Sequence, residues 1–181
     1  MRSLSTVRSP LVSIAAAACG LLATGCTTTS SLELTPRTVQ VEHQNFASVQ
    51  VNATGTGRTF GLGPRKVGSS DLEQAVRTAV LEAGLFQEVA LTGGADWILE
   101  VTVERLNLSE PGLTMTTDAA LRWRLIDVNT DRVRWETLIK ESAKAEPEDS
   151  PDFGERGKRS IERAIAANVA EGVRRMGALV L

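Results

Sequence analysis

The sequence has no tyrosine, a single histidine and only two cysteines among its 181 residues. Both cysteines, Cys19 and Cys26, lie near the amino terminus. A domain downstream of them has no internal disulfide and no Cys-rich metal or redox motif, so an ordinary apolar core must stabilise it. No nucleophile-elbow motif accompanies His43, so the sequence indicates no Ser-His-Asp catalytic arrangement.

The chain also lacks a strong basic charge and a phosphate-loop motif. The formal net charge is −2, which gives no indication of nucleic-acid binding. Several glycines crowd residues 55–68, but Phe60 stands at the third glycine position of G-x-G-x-x-G and no Gly-Lys-Ser/Thr triplet is present. The segment is therefore interpreted as a connector. The alternative is a loop that docks on a partner through Phe60 and Leu62.

Carboxylates are present, but not in a pattern that indicates catalysis or metal binding. Glu100 and Glu104 share one face of a predicted strand, where four residues of about 3.3 Å each separate them by roughly 13 Å. Glycosidase carboxylates are only about 5–9.5 Å apart, so ion pairs with nearby arginines are the better interpretation. Four more acids form a Pro-containing run: Glu146, Glu148, Asp149 and Asp152. Because the run lacks the D-x-D-x-D-G calcium pattern, it is interpreted as a solvated loop, with a cation site as the alternative. The sequence thus predicts no catalytic residue, metal or cofactor.

The amino terminus has the organisation of an export signal. Arg2 and Arg8 precede an apolar segment at 11–22, and small residues follow it. That segment is too short for a membrane-spanning helix, which needs roughly 20 residues. Residues 1–25 are therefore predicted to be a removable signal peptide.

The stretch LLATGC, which ends at Cys26, resembles the lipobox of bacterial lipoproteins. The resemblance implies that Cys26 carries a diacylglycerol and becomes the acylated first residue of the mature chain. Ala23 departs from the pattern, in which leucine is most usual at that position. Cys19 is the alternative, but cleavage there would shorten the apolar segment. Thr27, where an Asp would signal inner-membrane retention, implies the outer membrane of a two-membrane host, with the domain facing the periplasm.

Residues 26–36 are predicted to be the lipidated cysteine and a tether, and residues 37–181 a single domain. Residues 38–42 and 47–53 are predicted strands. Ser70 and Glu73 form a capping box at the start of an amphipathic helix, which Gly84 ends.

Three strands with period-two alternation follow this helix. Residues 96–108 are predicted to form a half-buried antiparallel strand, and a Pro111-Gly112 turn leads to the next strand. A three-residue Asn129–Asp131 turn then joins two strands, with Leu125 opposite Trp135 and Arg124 opposite Glu136. The side chains predicted to face inward are Trp97, Leu99, Val101, Val103, Ala119, Leu121, Trp123, Leu125, Val133, Trp135 and Ile139.

A long amphipathic helix closes the chain, with one apolar stripe that includes Asn168. The amide of Asn168 needs partners when buried, and a structural bond from helix to sheet is the favoured interpretation. The tryptophans are interpreted as core and not as a ligand cage. One outward row combines Glu136 with cations: Arg122, Arg124, Arg132, Arg134 and Lys140. A solvated sheet face is the simplest interpretation of this row, and a surface for a partner or anionic headgroups is the alternative.

The order strand, strand, helix, three-strand meander, helix predicts an α+β two-layer sandwich. It has an antiparallel or mixed sheet of about four or five strands and two helices on one face. The features from Ser70 to Met176, including ADWILEV, LRWRLIDVNTDRVRW and IERAIAANV, resemble small envelope lipoproteins. The similar families are the Tol translocation protein's amino-terminal domain and the curli-assembly and transport-auxiliary lipoproteins. This resemblance implies a non-enzymatic role in binding another envelope protein, or alternatively in carrying a lipid or other small molecule. An enzyme is the third hypothesis, and the oligomeric state is left open.

Overall fold

A computed structural model describes residues 32–55, 67–109 and 111–181, apart from the Phe46 side chain. The predicted signal peptide, Cys26, and the proposed docking residues Phe60 and Leu62 lie outside these ranges. Within the described residues, no helix is both long and apolar enough to cross a membrane.

The described residues form a five-stranded mixed sheet and two helices, which confirms the predicted α+β architecture. The elements are β1 (Asn45–Thr54), α1 (Ser69–Glu82), β2 (Phe86–Ala90), β3 (Trp97–Leu108), β4 (Met115–Asp127), β5 (Arg132–Ala145) and α2 (Phe153–Met176). The strand order is β2-β1-β3-β4-β5. Strand β1 runs parallel to β2 and β3, whereas β3, β4 and β5 form an antiparallel meander. Helix α1 packs on β1 and β2, helix α2 packs on β4 and β5, and the helices contact each other.

Helix α2 supplies most of the helical side of the core. Every residue of its predicted stripe is buried: Ile161, Ala164, Ile165, Asn168, Val169, Val173 and Met176. On the sheet, Trp123 and Leu125 are fully buried against this stripe. Trp97 and Trp135 are partly buried and pack against the same core, so the predicted inward orientation of the tryptophans is confirmed.

Helix α1 begins differently from the prediction. Its first residue is Ser69, its N-cap is Gly68, and no side chain caps it, so the Ser70–Glu73 capping box is wrong. The hydroxyl of Ser69 instead accepts a hydrogen bond from the Gly55 N–H at 3.0 Å, which joins the helix start to the end of β1.

The end of α1 agrees with the prediction. Gly84 has a φ of +63°, a left-handed conformation that ends helices and that glycine adopts without strain. Its N–H donates to the Leu81 carbonyl at 3.0 Å.

The segment before β1 is not the strand predicted at 38–42. Val39 and Val41 pack against the core, but among the described residues no strand pairs with this segment. The His43 N–H instead donates to the Gly177 carbonyl at 3.1 Å, just beyond α2. Leu34 and Pro36 are also buried, so the last part of the predicted tether packs onto the domain.

Strand β2 was not predicted. It runs parallel to β1, and β1, α1 and β2 together form a β-α-β unit. The loop after β2 then crosses β1, because β2 and β3 lie on opposite sides of that strand. Gly93 and Gly94 both have positive φ in this loop, and the Gly93 N–H donates to Gln50 Oε1. The Ser48 N–H and hydroxyl both donate to Asp96 Oδ2, at 2.8 and 2.7 Å. These bonds, led by the one from the backbone, lower the pKa of Asp96.

The β4–β5 hairpin has the predicted register along most of its length. Leu125 lies opposite Trp135, and Arg124 lies opposite Glu136. The loop, however, contains four residues, 128–131, one more than predicted. At a bulge between Leu125 and Ile126 the strand pairing shifts by one residue, and the predicted register holds beyond the bulge. Val133 therefore pairs with Ile126 and is 43% exposed, so its predicted inward orientation is wrong.

The turn itself is stabilised by local features of the sequence. Asp131 has the predicted positive φ, at +51°. The Asp127 carboxylate accepts the N–H groups of Asn129 and Thr130, at 2.9 and 3.2 Å. Asn and Asp side chains commonly form such turns because they can bond the backbone two or three residues ahead.

Candidate docking surface on the sheet

The residues first considered for chemistry have structural roles or are exposed. His43 is exposed before β1. Within the described ranges, no group of three or more His, Cys, Asp or Glu residues is arranged to hold a metal ion.

Two members of the acidic run organise the start of α2. Asp152 is the N-cap, and its carboxylate accepts the Glu155 N–H at 2.8 Å. Asp149 pairs with Arg163 and also accepts the Glu146 N–H. The Arg163 guanidinium is the main reason why the pKa of Asp149 falls to about 2.

The buried polar residue Asn168 bridges the helix and the sheet. Its Oδ1 accepts from Trp123 Nε1 at 3.1 Å, and its Nδ2 donates to the Ile139 carbonyl at 2.9 Å. Both of its polar atoms are thus satisfied in a site without solvent. This geometry confirms the interpretation of Asn168 as a structural bond and assigns it no ligand.

The buried Arg156 of α2 bonds the loops that precede α2 and β4, a contact that the sequence did not indicate. Its side chain is 6% exposed and donates to the carbonyls of Ser150, Pro151 and Gly112. These bonds tie the turn before β4 to the first turn of α2. An arginine in a charged stretch is usually solvated, so the sequence carried no signal for this burial.

The side of β3, β4 and β5 that faces away from the helices, here called the open face, carries a lattice of ion pairs. Arg122 donates to Glu104 and Glu136, both at 2.7 Å. Arg124 donates to Glu100 at 2.7 Å and lies 3.7 Å from Glu136. The predicted pairing of Glu100 and Glu104 with arginines is confirmed. Bonding to Glu104, and then to Glu136, raises the pKa of Arg122.

A groove of about 510 Å³ lies beside this lattice. Its floor is Ala120, which lies between Arg105 on β3 and Lys140 on β5 in the strand register. The small Ala120 side chain leaves space between the two longer cations. Asp118 and Leu138 are also among the lining residues, so the groove offers charges of both signs beside the apolar side chains of Ala120 and Leu138.

A bulge in β3 creates this arrangement. Val103 pairs with Leu121 and Arg105 pairs with Ala120, which leaves Glu104 as the extra residue. Glu104 and Arg105 are consequently both exposed, while Leu106 enters the core. The sequence signal for the bulge is the pair of consecutive charged residues between two apolar ones.

No protein-family model matches the chain, and no curated protein matches it. Solved structures do match. Protein XCC0632 from Xanthomonas campestris, of family-model DUF330, is 16% identical with a TM-score of 0.59, and the match covers 79% of this chain and 93% of that one. The PelC dodecamer from Paraburkholderia phytofirmans is 11% identical with a TM-score of 0.51, covering 81% of this chain and 95% of that one.

A minor lipoprotein from Acinetobacter baumannii is 8% identical with a TM-score of 0.49, covering 75% of this chain and 94% of that one. At these identities, the first two matches show a shared fold. The predicted resemblance to the Tol, curli-assembly and transport-auxiliary proteins stays a prediction.

Proposed function

We propose that this protein is a lipid-anchored accessory protein of the bacterial outer membrane, whose periplasmic domain binds another envelope protein through the open face. The observation that carries the proposal is the groove over Ala120, on a sheet face that neither helix covers. The lipobox resemblance at Cys26 supports the location.

The composition of the open face favours a protein partner. Leu138 is 43% exposed on this face and lines the groove beside Lys140. Arg122 and Arg124 are held in fixed positions by their glutamates. Such preorganised arginines next to an apolar group resemble the central part of many protein interfaces.

The carrier alternative gains no support from the space between the helices and the sheet. A Cβ atom added at Gly172 of α2 would lie 2.3 Å from Cζ2 of Trp123. The backbone of α2 at Gly172 therefore lies directly on the Trp123 indole of β4, where a lipid-binding cleft would be needed. We retain protein binding as the proposed function.

The docking proposal is tested with a photo-crosslinking amino acid in intact cells. It replaces Thr102 in the middle of the open face or, as a control, the exposed Leu81 of α1. We expect one reproducible adduct with a different envelope protein from position 102 and none from position 81. Reversal of the groove cation on β3, Arg105→Glu, should remove that adduct. The absence of an adduct, or one that survives the reversal, would contradict the proposal.

The anchor is tested separately. Mass measurement of the mature protein should show acylated Cys26 as its first residue, and membrane fractionation should place it in the outer membrane. Cys26→Ala should leave an unprocessed, unacylated chain, whereas Cys19→Ala should change neither result. Cleavage before Cys19 would refute the assignment of Cys26.

A further inference from the structure

Strand β5 forms one edge of the sheet and, in the part of the chain that the structure describes, has a neighbouring strand only on its β4 side. It contains 14 residues, whereas β2 at the opposite edge contains five. An edge strand presents a row of backbone N–H and C=O groups that can pair with another strand. Because short edges resist such pairing, β5 is the edge that can add a strand.

Strand β5 contains four cations, Arg132, Arg134, Lys140 and Lys144, but its central residues need not repel a second copy. Protected edges commonly carry lysines, which repel a second copy of the same strand. On the open face of β5, Glu136, Leu138 and Lys140 instead follow one another at every second position. Charges of opposite sign thus flank an exposed apolar residue, and the strand is complementary to itself.

This complementarity selects one register. When two β5 strands lie antiparallel and are centred on Leu138, the two Leu138 side chains meet, and each Glu136 lies opposite a Lys140. Cross-strand pairs of opposite charge stabilise a sheet, and apolar pairs do the same. The contact would also cover the 43% exposed Leu138 side chain.

Neighbouring registers are disfavoured by the same residues. Centring the pair on Glu136 would place two carboxylates directly opposite each other, and centring it on Lys140 would oppose two ammonium groups. Like charges directly opposite are destabilising. Shifting the centre by one residue to Thr137 or Ile139 would leave Leu138 without its apolar partner.

We propose that β5 pairs antiparallel with β5 of a second copy of this chain, centred on Leu138, so that two five-stranded sheets become one continuous sheet. The pairing ends before Lys144, because its carbonyl already accepts a hydrogen bond from Arg163 at 2.8 Å. This inference goes beyond the proposed function, since a partner can dock on the open face of a single copy.

Complementary charge reversals test the pairing. Full-length chains with Lys140→Glu or with Glu136→Lys should each lose self-association in membranes, because like charges then oppose one another. Mixing the two variants in one cell should restore it, because every opposed pair again has opposite signs. Co-purification of two differently tagged copies measures the association. Self-association unaffected by either reversal would overturn the proposal.

Because Glu136→Lys also removes ion pairs with Arg122 and Arg124, a cysteine crosslink gives a second test that leaves these charges intact. Leu138→Cys should form a covalent dimer when membranes are oxidised. Ser142→Cys should not, since the two positions 142 would be separated by about eight residues, or roughly 26 Å, along the paired strands.

Leu91→Cys is the matched control, because Leu91 is 77% exposed and lies just beyond β2, the opposite edge strand. It should remain monomeric. Equal dimer formation at all three positions would indicate random collision, and no dimer at position 138 would exclude the register. Either result would overturn the inference without affecting the test of the proposed function, which uses Thr102.

Discussion

Replacement of Asn168 by leucine is expected to destabilise the domain, although the substitution places an apolar residue in an apolar core. The amide joins Trp123 Nε1 to the Ile139 carbonyl, and all its contacts lie away from solvent. Leucine has the same branched shape and number of heavy atoms, but it cannot accept from the indole or donate to the carbonyl. The indole N–H is then left buried without a partner.

The magnitude follows from the groups left without partners. A buried donor without a partner costs about 1–3 kcal/mol, and the carbonyl that loses a donor adds about 1 kcal/mol. Burial of the leucine methyl groups offsets part of this cost, so Asn168→Leu should lower the free energy of unfolding by about 2–3 kcal/mol. With a urea m-value of about 2 kcal/mol/M, the midpoint should fall by about 1 M.

A double-mutant cycle separates the hydrogen bond from other effects of the substitution. Trp123→Phe removes the indole donor and leaves the Asn168 oxygen unpartnered, so it should also be destabilising. The double variant removes donor and acceptor together and should cost at least about 1 kcal/mol less than the sum of the single changes. Urea unfolding followed by far-UV circular dichroism measures all four proteins. Additivity to within about 0.5 kcal/mol would refute the proposed coupling.

Three further predictions concern other contacts of the domain. Gly172→Ala should lower the thermal midpoint, because an added Cβ would lie 2.3 Å from Cζ2 of Trp123. Such overpacking costs about 1–3 kcal/mol, which exceeds the gain of about 1 kcal/mol in helix propensity. A higher midpoint would contradict the close packing of Gly172 on Trp123. Because Arg163 holds the pKa of Asp149 near 2, compared with 3.8 ordinarily, the stabilisation by this carboxylate is present above 3.8 and is lost as the pH falls through about 2. The stability difference between wild type and Asp149→Asn, measured in urea, should therefore shrink over that interval, and a constant difference would argue against the assignment. Arg122→Gln should leave the urea midpoint close to that of the wild type, since its ion pairs are exposed and contribute little to stability. A clear fall of the midpoint in the same assay would mean that the open-face lattice is a major source of stability.

The elements that could be predicted are those whose patterns are local. The stripe of α2 repeats over many turns, and β3, β4 and β5 alternate apolar and polar residues, so their buried faces follow from the sequence. The hairpin register was also predictable, because Asp131 tolerates a left-handed conformation and the flanking strands have matching alternation.

The parallel half of the sheet could not be predicted in the same way. Strand β2 contains five residues, of which Gln87 and Glu88 are exposed, and its pairing depends on β1, which is distant in sequence. The crossing loop likewise depends on bonds between Ser48 and Asp96 that no local motif announces. For residues 38–42 the alternation of valines was real, but packing against the end of α2 replaced strand pairing.

The candidate site depends most strongly on irregularities that simple alternation does not predict. Continued period two through Arg105 would turn that cation inward and expose Leu106, which costs far more than one unpaired residue in the ladder. The bulge at Glu104 avoids this cost by returning Leu106 to the core, where it is 2% exposed. As a consequence, two consecutive charged residues lie on the open face, one bonded to Arg122 and the other beside Ala120. The bulge that keeps Leu106 in the core thus also places Glu104 in the ion-pair lattice and Arg105 beside the groove. The proposed docking surface therefore follows from the way in which β3 buries its last apolar residues.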